Sequence, residues 1–395
     1  MRGLSIGVAS VLLTIAVVIS LKRSINEVKV PSWDGFHNIY LDNIEEDQEE
    51  EENDEEATTT TTTTTITSRG NYLDYDFYRN TCPQAETIVR SKMAEIVSRH
   101  NDVPAALLRL FFHDCFVKGC DASVILTDSK GERSNFTERQ AVPNRTLKGF
   151  DIIDLIKEEV EKACPGVVSC ADILALATRD GILLVGGPFY PVFTGRRDSI
   201  QSYFNEAVAE IPNPDGNLSE TLFLFGLKGF DERETVSLLG AHNIGKISCE
   251  FIQNRLYNFL GTGQPDPSVP LDFLNEMRIN CQEIRDSSNG MSPTATNPSI
   301  SESTVFQGLT SISSGAGFDN HFYQNLIRGR GLLFSDQQLM ADEKTARYVR
   351  DYAFGNGSAF RTDFARDMVK ISVLDVLTGF QGQVRTNCSL PLYGS

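Results

Sequence analysis

The chain has 395 residues, a formal net charge of −17 and a hydrophobic share of 41%, enough apolar material for one large helical domain or two to three average ones. The acidity is local: Asp42 to Glu56 carries eleven acidic residues and no basic ones, and without it the body is only about −6. No basic patch interleaved with aromatic residues is present, which excludes a nucleic-acid partner, and eight cysteines without a CxxC…CxxC or HExxH pattern point to disulfides in an oxidising compartment rather than to zinc.

Residues 1–21 begin with Arg2, continue as an apolar run and stop before Lys22 and Arg23, the pattern of an export signal. Cleavage after Ser20 is the favoured reading. The run 4–21 is nearly long enough to span a bilayer, so an uncleaved anchor, with membrane contact through it, is the alternative. Residues 22–70 hold the acidic block, the run Thr58 to Thr65 and the single Trp33, with little to bury. They read as a disordered, self-repelling linker, a spacer before a folded domain over 71–395. Five N-x-S/T sequons, at Asn135, Asn144, Asn217, Asn356 and Asn387, fit a secreted glycoprotein.

From Asn71 onward helical periodicity dominates. Pro83 after Cys82 suits a helix start, with Ala85 to Arg99 as its body. Asp102 and Pro104 open the next helix, which runs into LLRLFFHDCFVKGCDAS at 107–123. The i,i+4 spacing puts Arg109 and His113 on one face, with Phe112 beside them. A permanently charged guanidinium, an imidazole that can take and return a proton and an apolar ring suit polar bond chemistry in a dry pocket. Directly after them, Asp114, Asp121 and Ser123 bring oxygen donors around Gly119, with Cys115 and Cys120 five apart, the make-up of a clipped loop holding a hard cation such as calcium. A buried helix with a satisfied histidine and a small disulfide loop is the bland reading, and the combination of these groups weighs against it.

Lys148 to Lys162 and Cys170 to Asp180 read as two further helices, the second apolar on most sides and therefore central. Gly186-Gly187-Pro188 breaks the pattern, and Pro191 to Thr194 is expected as a short strand. Pro212, Pro214 and Gly216 form a loop before another helix. Asp231 caps ERETVSLLGAH, which ends at His242 near Gly245; taken alone, such a histidine is more often structural than a metal ligand. Residues 282–317 are rich in Ser, Thr, Asn and Gly and read as a loop. Helices return at Phe322 to Ile327, Glu343 to Phe354 and Phe360 to Val369, and no internal repeat is present.

By this point five motifs stand in one order: LLRLFFHDCFVKGCDAS, VSCADILALATRD, GRRDS, LLGAHNIGKISC and LLFSDQQL. Their order and spacing resemble those of the class III secretory plant peroxidases, over Asn71 to about Pro391. The resemblance implies a mainly α fold, two helical lobes enclosing one haem b. It implies a monomeric enzyme that oxidises phenolic donors with hydrogen peroxide. Peroxide removal, lignin and suberin metabolism, auxin catabolism and stress responses are roles seen in the family, and nothing in the chain chooses among them.

The resemblance also assigns residues. His113 is implied as the base that moves a proton between the peroxide oxygens, and Arg109 as the group that stabilises charge as the O–O bond breaks. Asn144 would hold the other His113 nitrogen, with Glu138 behind it. His242 would bind iron, with Asp336 accepting its N–H. Phe112 would limit access to the iron, and Pro212 matches the position that meets the aromatic donor. Asp114, Asp121, Ser123 and the carbonyls of Val117 and Gly119 match a first calcium site. The implied disulfides are Cys82–Cys164, Cys115–Cys120, Cys170–Cys388 and Cys249–Cys281.

Two regions depart from the family pattern. The second calcium site would use Asn243, Ser311, Ser314 and Asp319, where the family has Thr directly after the iron-binding His and a second carboxylate near Ser311. Losing a charged ligand implies a weak or absent second calcium. Val142 and Ile244 stand near positions that are often larger or aromatic. A haem-dependent peroxidase is therefore the leading function. The alternatives are a peroxidase-fold module at the cell wall or membrane surface with vestigial chemistry, and a calcium-binding structural glycoprotein without haem; the second leaves the His242 motif unexplained.

Overall fold

The computed structural model describes residues 72–127, 136–283, 306–308 and 317–392, all within the compact unit 68–395. The export signal, the linker with Trp33, and Asn135, Ser311 and Ser314 lie outside the described residues. The described fold is mainly α-helical, with one two-stranded sheet.

Six helices precede the site's second half: α1 (Ala85–Val97), α2 (Val103–Lys118), α3 (Phe150–Ala163), α4 (Cys170–Leu184), α5 (Phe204–Glu210) and α6 (Leu218–Leu227). Then come α7 (Glu232–Leu239), β1 (Lys246–Ser248), α8 (Gln253–Tyr257), α9 (Leu271–Asn280), β2 (Phe306–Gly308), α10 (His321–Ile327), α11 (Phe334–Gln338), α12 (Glu343–Ala353) and α13 (Ser358–Ser372).

Helix α4 is the central element, as its composition required. Every residue from Cys170 to Ile182 is buried, and Ser169 caps the helix by accepting the Asp172 N–H at 3.1 Å. It packs against α1, α2 and α3. The apolar stripe of α3 (Ile152, Ile153, Ile156, Val160) faces inward, and Gly149 at φ 96° supplies the left-handed turn that starts the helix at Phe150. A second core, from Ile247 to Cys281 with Leu332 and Leu333, packs α8 and α9 apart from the main one.

Buried charge ties the motifs together. Asp172 on α4 pairs with Arg196 of GRRDS at 2.7 Å with both side chains fully buried, and it also accepts from the Tyr78 hydroxyl at 2.7 Å. Removing either partner of such a pair costs about 3–5 kcal/mol, because the other is left charged and unpaired. Asp198 of the same motif accepts the N–H groups of Ala171 and Arg385, fixing the C-terminal segment to α4. Four disulfides are formed, in the pairing the resemblance implied: Cys82–Cys164, Cys115–Cys120, Cys170–Cys388 and Cys249–Cys281.

Three expectations need correction. Pro191 to Thr194 is no strand; it makes one bridge, Thr194 to Asp74, since Pro191 has no N–H for a ladder. Helix α4 continues four residues past Asp180, carried by the apolar GILL. The polar stretch 282–317 contains β2, which pairs antiparallel with β1, Ile247 opposite Gln307.

Candidate active site

Helix α2 carries the first half of the site. Its one-turn spacing brings Arg109, Phe112 and His113 to the wall of a single cavity. His113 is buried, and its Nδ1 lies 2.6 Å from Asn144 Oδ1. Asn144 is itself fixed, because its Nδ2 donates to the Glu138 carbonyl at 2.8 Å. With a hydrogen bond on Nδ1, His113 keeps Nε2 without a partner among the described residues. Burial, with the Arg109 charge adding to it, pushes His113 down to about 3, so the ring is neutral and able to accept a proton.

Arg109 has no carboxylate partner among the described residues. Nη1 donates to Thr146 Oγ1 and Nη2 to the Pro143 carbonyl, each at 2.9 Å. Burial lowers it to about 10, which leaves it charged at neutral pH. Phe112 stacks on Phe116 with centroids 4.5 Å apart, so the ring beside the two polar groups is locked into the core.

The opposite wall comes from the end of α7. Asp231 caps this helix with a full capping box, and the chain tightens into a 3-10 turn over Gly240–Asn243 that presents His242 to the cavity. A side chain at Gly240 would strike the Tyr323 hydroxyl and Phe360, so the turn needs glycine to pack this closely. His242 Nδ1 meets Asp336 Oδ1 at 2.8 Å, from α11, while a third of the imidazole remains exposed to the cavity. Burial lowers the basicity of His242, but the charge and hydrogen bond of Asp336 outweigh it and the net shift is upward.

The cavity also takes in Pro212, Ile244, Thr146, Phe251, Ser335, Lys148 and Lys246. Pro212 lines this cavity and Ile244 is buried in its wall, whereas Val142 is half-exposed and does not line it. Thr146, Phe251 and the two lysines were not read from the sequence. Phe251 follows Cys249 by two and Thr146 follows Asn144 by two, offsets that carry no chemical signal on their own.

The loop after α2 is a second polar cluster. Asp114 and Asp121 are buried without an ion pair among the described residues, and their acidities are weakened by burial, with Asp114 further raised by Asp121 and Asp121 reaching about 6. Ser123 Oγ and Glu138 Oε2 are buried with no partner within hydrogen-bond geometry among the described residues. Gly119, at φ 102°, lies so close to the carbonyls of Leu374 and Asp375 that no side chain fits. The Val117 carbonyl already accepts from Lys228 Nζ at 3.1 Å. Two buried carboxyls and a nearby hydroxyl are the oxygen donor types that suit a hard cation.

The other implied calcium set is not assembled by the described residues. Asn243 is buried with neither amide atom partnered among the described residues, but the Asp319 carboxylate is engaged by the ring and the N–H of His321.

Comparison with known proteins decides the family. The peroxidase family model matches residues 89–355. "Putative Peroxidase 48" of Arabidopsis thaliana is 44% identical over 340 residues, covering 82% of this chain and 83% of that protein. "Peroxidase 1" and "Peroxidase 57" of the same plant are 39% and 41% identical, over 81% and 79% of this chain and 92% and 90% of theirs. The chain belongs to the class III secretory plant peroxidases. The peroxidase is thus an oxidoreductase of a family that reduces hydrogen peroxide and oxidises phenolic donors.

Proposed function

We propose that peroxide is reduced in the cavity between His113 and His242, with haem b held by His242. The cavity suits that group: two imidazoles line it with Nε2 unpartnered among the described residues, its walls are largely apolar, and Lys148 and Lys246 are among its cationic lining residues. Bound haem b would supply the two-electron redox chemistry that peroxide reduction needs. His242 would hold the iron through neutral imidazole, and Asp336 fixes its ring and raises its basicity. His113 takes a proton from one peroxide oxygen and returns it to the other, so that water leaves. Asn144, backed by the segment of Glu138, sets the tautomer that this requires. Arg109 stabilises the negative charge on the departing oxygen. Phe112 excludes water and large ligands, and Pro212 meets the phenolic donor.

Asp114, Asp121, Ser123 and the carbonyls of Val117 and Gly119 would hold one calcium. Because Asp114 follows His113, that ion stiffens the end of the helix carrying the base. Asn243, Ser311, Ser314 and Asp319 would hold a second calcium weakly or not at all, given the engagement of Asp319 by His321. Four disulfides support export to an oxidising compartment, the wall or vacuole, with the domain spanning 71–395 after a signal or anchor (1–21) and a linker (22–70). Among the described residues no helix is long and apolar enough to cross a membrane. The substrates are small molecules, and a monomer is the state that the family resemblance implies.

The observation that carries this reading is the convergence on one cavity of the His113–Asn144 and His242–Asp336 pairs. A vestigial module would have no reason to keep both pairs in register. The test is peroxide-dependent guaiacol oxidation by the purified haem protein and by H113L. Wild type should turn over, and H113L should lose about 100-fold or more while retaining haem. Haem-loaded wild type without turnover would refute it.

A further inference from the structure

One short loop holds both His113 and Arg109. Within residues 143–146, Asn144 meets His113 Nδ1 at 2.6 Å, while the Pro143 carbonyl and Thr146 Oγ1 each accept from the Arg109 guanidinium at 2.9 Å. These two are the only hydrogen bonds of Arg109 among the described residues, and no carboxylate steers it. Arginine is long and rich in rotamers, so a guanidinium without an ionic partner takes its orientation from whatever hydrogen bonds it makes. Two acceptors on different Nη atoms define the plane of the group; one acceptor leaves it free to turn about that bond. The loop itself is fixed, since Asn144 Nδ2 donates to the Glu138 carbonyl and the Glu138 carboxylate accepts the Tyr203 N–H at 2.9 Å.

We propose that Thr146 is a positioning residue of the peroxide reaction: its hydroxyl, together with the Pro143 carbonyl, fixes the Arg109 guanidinium in register with the His113 base that the same loop holds. The proposal rests on the reading of Arg109 and His113 as the pair that acts on peroxide. Thr146 touches neither peroxide nor the reacting proton; it acts through Arg109.

The test compares T146V, which keeps the shape and removes the hydroxyl, with T146S, which keeps the hydroxyl. Asn144-Arg145-Thr146 is also a sequon that T146V destroys, so all proteins are refolded from a host that adds no glycans. Haem-loaded forms are measured for the second-order rate constant with peroxide, its pH profile, fluoride affinity from the absorption spectrum, and the rate of haem transfer to apomyoglobin. Fluoride reports on a donor poised above the iron without any turnover.

Losing one hydrogen bond to a charged group should lower the rate constant and the fluoride affinity of T146V by about tenfold. The acidic limb of the pH profile and haem transfer should be unchanged, and T146S should stay within about threefold of wild type. Unchanged fluoride affinity in T146V overturns the proposal. So does faster haem loss with fluoride unaltered, which would put Thr146 on the macrocycle carboxylate, or a T146S as impaired as T146V. Haem-loaded wild type that ignores peroxide sinks the parent reading and this one with it.

Discussion

Replacing Asp336 by Asn keeps the shape of the side chain and removes the charge that His242 Nδ1 meets at 2.8 Å. Asp336 is 1% exposed, so water cannot take over. Its other partner among the described residues is the Leu333 N–H at 3.4 Å, a weak contact. Without the carboxylate, His242 keeps only the influences that lower its basicity, burial and the charge of Arg109. A hydrogen bond to a charged group contributes about 1.5–3 kcal/mol, and about 1.4 kcal/mol is tenfold in rate, so D336N should lose about 10–100-fold in turnover. That matches the range for losing the outer partner of a ligating histidine. The assay is guaiacol oxidation with peroxide varied, normalised to haem content, with circular dichroism to show an unchanged fold. Turnover within twofold of wild type at equal haem content would refute the reasoning.

Metal analysis of the purified holoprotein should find one tightly bound calcium per chain, because Asp114, Asp121 and Ser123 form a buried cluster while Asp319 is engaged by His321; two would contradict this. Asp367 is buried with one oxygen unpartnered among the described residues, and burial raises it from 3.8 to about 7. The folded state therefore holds that proton more tightly than the unfolded chain, so its contribution is full below about pH 4 and is lost as pH rises to about 7. D367N should flatten that part of the curve of thermal stability against pH, and an unchanged slope would count against it. Asn144 is 2% exposed with both amide atoms committed, whereas Asn217, Asn356 and Asn387 are exposed. Peptide mapping of protein secreted by a eukaryotic host should find no glycan on Asn144, and a glycan there in active enzyme would contradict its role.

What could be read from the sequence follows how local each interaction is. Arg109, Phe112 and His113 were legible because one helical turn delivers all three to one face. The polar cluster after α2 was legible because Asp114, Asp121, Ser123 and the cysteine clip lie within ten residues. His242 and Asp336 belong to elements ninety-four residues apart and meet only after α7 and α11 pack, so without the family pattern neither stood out. Thr146 stayed hidden for another reason: a threonine in a polar loop has many bland uses, and only the position of Arg109 gives it a partner. The same holds for β2, whose register depends on β1 sixty residues earlier. Short helices such as α5, α8 and α11 have too few turns to display a period, and tertiary packing rather than propensity sustains them.

The central claim is that His242 and His113 face each other across one haem. The most direct measurement is the absorption spectrum of the purified protein before and after one equivalent of peroxide, for wild type and H242A. Wild type should show a haem Soret band that changes on adding peroxide and recovers when a phenol is added, while H242A should lose the haem or the response. A wild-type spectrum without haem, or an H242A spectrum and response matching wild type, would contradict the account.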